Sequence, residues 1–197
     1  LKAVNKHKVV IYGYSDGNGI SFGHHNNSVL RIDNSENLTF DGLVILPLFS
    51  DTKPFSSWGT TNASTYNNLL RSFLGDDMED VFVGDADGKI YFNNIQAMIR
   101  TDPYAKVHSN GTVTTVSGLT VQNCYLDGGA CTNVINMNSS NITGDYHFIG
   151  NTISGNLVVN GKPTLRRNMY DPYYRIGESF RRRYDAENLY ETREFTE

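Results

Sequence analysis

The sequence predicts an all-β solenoid, a stack of short coils of the parallel β-helix kind, and three observations lead there. The first is a repeat: residues 37–45, 89–97, 118–126 and 145–153 each carry an apolar-x-apolar strand, a Gly or Asn step and a second short apolar stretch. Residues 163–170 are a fifth, weaker copy. The second is spacing. Anchored on Phe40, Phe92, Val121 and Phe148, the intervals are 52, 29 and 27 residues, so the last two approach one coil and the first holds an insertion. The third is composition: 22 Asn, 18 Gly and 31 Ser plus Thr stand against 19% charged residues. Such a surface is small, polar and turn-tolerant, and Asn and Gly supply the left-handed backbone with which a strand turns a corner.

Taken from the N-terminus, period-two alternation adds strands at residues 9–12, 29–32, 113–116, 134–137 and 157–159 between the copies. A coil leaves both strand edges open until its neighbours cover them, so such strands are stable only as an array with capped ends. The chain starts at Leu1 with no signal-like apolar segment, and its first residues already read as strand, which predicts further sequence upstream. The solenoid is expected over residues 1–165, interrupted by an insertion at 46–88, with a helical or extended tail over 166–197 that caps the stack or contacts another subunit. Within the insertion, a Ser/Thr-rich loop surrounds Phe55 and Trp58. A short helix follows over 65–74, with Thr65 as N-cap and Tyr66, Leu69, Leu70 and Phe73 on one face. After an acidic run at 76–80, residues 81–92 read as a hairpin that turns at Asp85–Gly88. In the tail, Ile176, Phe180 and Tyr184 recur at helical spacing, with acids near Arg181, Arg182 and Arg183.

The net charge of −4 and pI near 5.7 oppose the basic footprint of a nucleic-acid binder. The longest apolar run, 43–49, contains Pro47 and falls far short of the roughly 20 residues that span a bilayer, so no membrane span is expected. Six N-x-[S/T] sequons begin at Asn26, Asn37, Asn62, Asn110, Asn138 and Asn141, a mild excess over the three or four, roughly, that composition yields. Cys124 and Cys131 flank a Gly-rich turn; they are either a bridge between adjacent strands in an oxidising compartment or two buried free thiols.

At this point the coils resemble a known superfamily. Residues 34–45 (NSENLTFDGLVI) and 116–126 (VSGLTVQNCYL) look like coils of the pectate-lyase-like superfamily, which includes phage tailspikes, pectinases and surface adhesins. The resemblance covers roughly residues 8–50 and 88–170 and implies a right-handed parallel β-helix. It implies nothing specific about chemistry.

Candidate chemistry is thin by comparison. Glycoside hydrolysis needs two carboxyl groups flanking the scissile bond. Asp77, Glu79 and Asp80 are the densest acids, but an acidic run between helix and strand ordinarily reads as a solvated face. Asp85 and Asp87 before Gly88 resemble half of a calcium loop yet lack its later ligands, so an Asp/Gly turn is the better reading. His24 and His25 are adjacent on the chain and point apart on a strand, and the isolated His7, His108 and His147 suggest no role. Phe55 and Trp58 in a polar loop, with Tyr66 nearby, are the expected carbohydrate- or partner-binding residues; rings that merely pin the insertion are the competing reading.

No cofactor and no metal are expected. The function expected is that of a non-enzymatic structural or receptor-binding segment of an extracellular or virion surface appendage. It would meet a cell-surface glycan or protein receptor and assemble as a homo-oligomer. The rival is a polysaccharide lyase or glycoside hydrolase acting on an acidic or capsular glycan. A glycosylated eukaryotic surface protein rests on the sequons alone.

Overall fold

The computed structural model describes residues 1–15, 28–32, 35–53, 57–93, 97–101, 116–128, 133–137, 142–155, 157–159 and 164–170. Among these it is mostly β with one helix. In chain order the elements are β1 (Val10–Ser15), β2 (Ser28–Ile32), β3 (Ser35–Asp41), β4 (Val44–Ser50), β5 (Ser57–Asn62), α1 (Ala63–Leu74), β6 (Lys89–Asn93), β7 (Ala97–Thr101) and β8 (Val116–Gln122). There follow β9 (Tyr125–Asp127), β10 (Asn133–Met137), β11 (Ile142–Ile149), β12 (Thr152–Ser154), β13 (Leu157–Val159), β14 (Thr164–Arg166) and β15 (Met169–Tyr170).

Three sheets hold the strands. Two are all-parallel, ordered β2-β7-β10-β13 and β3-β8-β11-β14. The third is mixed: β1, β4, β9, β12 and β15 run parallel, while β6 joins β4 antiparallel and carries β5 at its far side. With β5 and β6 set aside, every ladder advances by three strands. Like therefore stacks on like: Phe40, Val121, Phe148 and Leu165 stand in register, as do Ile45, Leu126 and Ile153, and Leu30, Ile99 and Ile135. These rows form one continuous core. Each fully buried side chain of this size contributes about 1.5–3 kcal/mol.

A two-residue corner joins the second parallel sheet to the mixed one at every level. Its first residue is left-handed each time: Gly42 (φ 72°), Asn123 (φ 54°), Gly150 (φ 63°) and Arg167 (φ 55°). The second residue points inward and is buried: Leu43, Cys124, Asn151 and Asn168. Asn151 Oδ1 accepts the Cys124 N–H at 2.9 Å, and its Nδ2 donates to Val121 O at 2.9 Å. Asn168 repeats the arrangement one level on, accepting from Asn151 N and donating to Phe148 O. The sharp corner leaves backbone groups that no ladder pairs, and the carboxamide, with both donor and acceptor, satisfies them.

The expected strands at 9–12, 29–32, 134–137 and 157–159 correspond to β1, β2, β10 and β13. Of 113–116 only Val116, the start of β8, lies within the described residues. The repeat at 89–97 does not join the others. Lys89–Asn93 runs antiparallel to β4, pairing Phe92 with Phe49 and Tyr91 with Ser50, so Phe92 is not in register with Phe40, Val121 and Phe148. A short apolar-x-apolar strand satisfies the same period in either direction.

The hairpin expected over 81–92 also differs, because residues 81–84 are not a strand and β6 pairs with β5 across the helix. Phe82 instead turns inward, held by Asn67, whose Nδ2 donates to Phe82 O at 2.6 Å and whose Oδ1 accepts from Val81 N and Phe82 N. The helix begins at Ala63 with Asn62 in the N-cap position, not Thr65, and Asn62 makes no side-chain cap bond. Its apolar face is as expected: Tyr66 and Leu70 are buried and Leu69 and Phe73 pack at the margin. Arg166 ends β14, and Met169–Tyr170 forms β15 beside β12. The helix expected around Ile176, Phe180 and Tyr184 lies outside the described residues.

Candidate functional site

Two surfaces stand apart from the regular ladders, the insertion and a groove on the second parallel sheet. The insertion lies against the outer face of β4. Ile45 faces the main core, whereas Val44, Leu46 and Phe49 belong to a second core with Ala63, Tyr66, Leu70, Phe82, Ile90 and Phe92. Phe49 is its hub, with ring centroids 4.5 Å from Phe82, 4.7 Å from Tyr66 and 5.6 Å from Phe92, the closest two in edge-to-face geometry. Tyr66 is 6% exposed, and its hydroxyl donates to Asp127 Oδ2 at 3.2 Å, joining the helix to β9. The C-terminal end of the helix is tied down as well: the Phe73 ring meets His7 edge-to-face and Tyr125 at a tilt, and Lys8 Nζ donates to the Phe73 carbonyl.

Of the residues expected to meet a partner, Tyr66 is thus an anchor facing inward. Trp58 lies within β5, on the far side of β6 from β4. Phe55 lies outside the described residues. The acidic run is exposed and Asp80 pairs with Arg71. Asp85 is committed to its own turn: Oδ1 accepts from Asp87 N and Lys89 N, and Oδ2 accepts from the Tyr91 hydroxyl at 2.7 Å. That hydroxyl, with the two backbone N–H groups, holds the Asp85 carboxyl below the usual range. An Asp/Gly turn accounts for all of this.

The groove, of about 390 Å³, opens on the outward face of β3, β8 and β11. Here three adjacent strands depart from regular geometry at one level. Asn37 (φ 50°) lies opposite Gly118 (φ 80°), between the register pairs Glu36 with Ser117 and Leu38 with Leu119. On β11 the register slips between Thr143 and Tyr146, so that Gly144 and Asp145 together oppose Gly118. A Cβ on Gly118 would stand 3.0 Å from Asn37 Oδ1, so glycine serves both the backbone angle and the open floor. Beside these irregularities Thr39, Thr120 and His147 stand in register, outward where Phe40, Val121 and Phe148 point inward.

The repeats contained a signal for this groove that the sequence reading left unused. Asn37, Gly118 and Asp145 each precede the same apolar-x-apolar triplet by one position. Residues prone to left-handed or bulged backbone at one offset in successive copies mark an aligned kink.

Elsewhere, titratable groups serve packing. His7 Nε2 lies 2.9 Å from Asn123 O, and the ring is half-buried against Phe73 and Tyr125. Burial is the main cause that pushes its pKa down, opposed by the Asn123 carbonyl and aided by Lys6. Asp41 is held low chiefly by the Asn123 carboxamide, 3.0 Å away. The Cys124 thiol is buried and pushed up to about 11, which makes it a poor nucleophile. Cys131, His24, His25 and His108 lie outside the described residues. Among the described residues no three His, Cys, Asp or Glu side chains gather as a metal site would require, and no helix is long and apolar enough to cross a membrane.

Comparison with protein-family models, with curated proteins and with solved structures finds no match to this chain.

Proposed function

We propose that the chain is a structural, receptor-binding segment of an extracellular or virion surface appendage, built as a right-handed parallel β-helix of the pectate-lyase-like kind. The observation that carries the reading is the step of three along every parallel ladder, with like residues stacked at each level and an Asn-lined corner repeated between two of the sheets. An array of this kind is stiff along its stacking direction and serves as a shaft. The insertion, clamped by its own aromatic core, is what the shaft presents to a cell-surface glycan or protein receptor, with Phe55 and Trp58 as the candidate contact residues. The 166–197 tail serves subunit contact, and the chain works as a homo-oligomer without a cofactor.

A catalytic reading, a polysaccharide lyase or glycoside hydrolase, has one observation in its favour: Asp145 and His147 line the same groove. Incubation with capsular and plant polysaccharides separates the two. The shaft reading expects no new reducing ends and no unsaturated sugars; turnover that a single Asp145→Asn change abolishes would sink it. Light scattering tests the assembly, and a strictly monomeric chain at high concentration would count against the tail as an interface.

A further inference from the structure

We propose that the groove across β3, β8 and β11 is a second binding site, and that its ligand is a neutral, hydroxyl-rich glycan lying across the strands. The proposal rests on the receptor-binding reading above and adds to it a place and a ligand class. Three strands that are far apart in sequence carry an irregularity at one level: two left-handed residues face to face, then a bulge. Regular pairing would close this floor at lower cost, since a non-glycine residue such as Asn37 is strained in that conformation. Bulges concentrate beside functional sites because they re-aim a side chain, here that of Asp145.

The lining sets the ligand's chemistry. Thr39, Thr120 and His147 form a file of hydroxyl, hydroxyl and imidazole at the interstrand spacing of about 4.8 Å, close to the advance of one sugar ring along a chain. Asn37 and Asp145 add a carboxamide and a carboxylate at the margin. Neither Lys nor Arg lines the groove, whereas Asp145 does, so a phosphate, sulfate or uronate chain would meet negative charge without a counter-charge. The surface is mostly polar, which suits a ligand rich in hydroxyls and disfavours a lipid or an apolar peptide.

The test titrates the full chain with cellohexaose, maltohexaose, mannohexaose and galactohexaose, with hexagalacturonate as the acidic counterpart, by calorimetry and backbone amide shifts. At least one neutral hexasaccharide is expected to bind and to shift the amides of Thr39, Thr120 and His147. Thr120→Val keeps shape and strand preference but removes one hydroxyl, and Asp145→Ala removes the carboxylate; each is expected to weaken binding about tenfold. Folding of both variants is verified by an unchanged amide spectrum away from the groove. No binding by any neutral hexasaccharide, binding only of hexagalacturonate, or wild-type affinity in both variants would overturn the proposal. Loss of binding in Trp58→Ala with full binding in the groove variants would place the ligand on the insertion: the groove assignment then falls and the receptor-binding reading stands. Binding at the groove accompanied by sugar cleavage would do the reverse, keeping the site and removing the non-enzymatic reading.

Discussion

Asn151 is 1% exposed and serves two levels of the corner at once, bonding Val121 O and Cys124 N on one side and donating from Nδ2 to Asn168 Oδ1 on the other. Leu43 occupies the same corner position with an apolar side chain, so the position itself does not demand Asn; the buried backbone groups of the neighbouring level that no ladder pairs do. Asn151→Ala leaves a buried N–H and a buried C=O without their side-chain partner and is expected to cost about 2–4 kcal/mol. Urea unfolding would register this as a lower midpoint at unchanged slope. Arg167 shows the opposite case. It holds a left-handed angle with an exposed side chain where Gly42 and Gly150 stand at other levels. Arg167→Gly relieves that angle and is expected to stabilise the protein by up to about 1 kcal/mol, less the entropy glycine gains in the unfolded chain.

His7 belongs to this scale too. Its folded pKa lies below the ordinary 6.5 mainly because the ring is half-buried. The unfolded chain therefore takes up this proton more readily, so the stabilisation is complete above 6.5 and is lost as pH falls through the depressed folded value. The aspartate effect falls elsewhere: Asp41, depressed from 3.8, contributes above that value and loses its contribution at lower pH. His7→Asn, which tolerates the left-handed angle of His7 (φ 62°), is expected to flatten the fall in urea midpoint as the pH drops below 6.5. An identical slope in wild type and variant would show that His7 is not its source.

At the scale of elements, the insertion is held by contacts that α1 could not make alone. A 12-residue helix is marginal in isolation, and this one has no side-chain N-cap bond. Its order comes from Phe49, Phe82 and Phe92 packed around Tyr66, and from Asn67 stapling residues 81–82 to the helix. Phe82→Ala is expected to cost about 3–5 kcal/mol. Hydrogen exchange is the measurement that locates the loss: protection should fall first in α1 and β6 and least in β8 and β11. Uniform loss over all strands would mean that the insertion and the ladders unfold as one unit. The helix, its apolar face and the Asp85–Gly88 turn were legible in the sequence because they are local patterns. The cap was not, because both Asn62 and Thr65 are cap-forming residue types, and the helix starts directly where β5 ends at Asn62.

At the scale of the molecule, β1 is paired only with β4 among the described residues, and Tyr12 and Tyr14 on it are 37% and 42% exposed. A parallel edge that no described strand pairs, with aromatic residues along it, is a template for another strand. Self-association at high concentration is expected in sedimentation runs, and Tyr14→Lys should reduce it by placing a charge on the edge; a variant that associates as strongly as the wild type would move the contact elsewhere. The groove and the insertion occupy different sheets, so ligand binding at one is expected to leave the amides of the other in place.

The sequence by itself determined the β character, most strand positions, the Gly or Asn at three of the four described corners and the apolar face of the helix. Each of these follows from a period or a backbone preference that a few neighbouring residues carry. Only the tertiary structure decided which strand pairs with which and in which direction, because residues 89–93 satisfy the repeat's period yet run antiparallel to β4. It also decided why residues 43–49 are almost continuously apolar: β4 is buried on both faces, by the main core and by the insertion. Tyr66, expected on the helix's apolar face and also as a partner-binding ring, is turned inward for the same reason, since burial depends on what covers a residue. The groove needed three strands brought to one level, and that alignment is a property of long-range register, which no stretch of the chain carries alone.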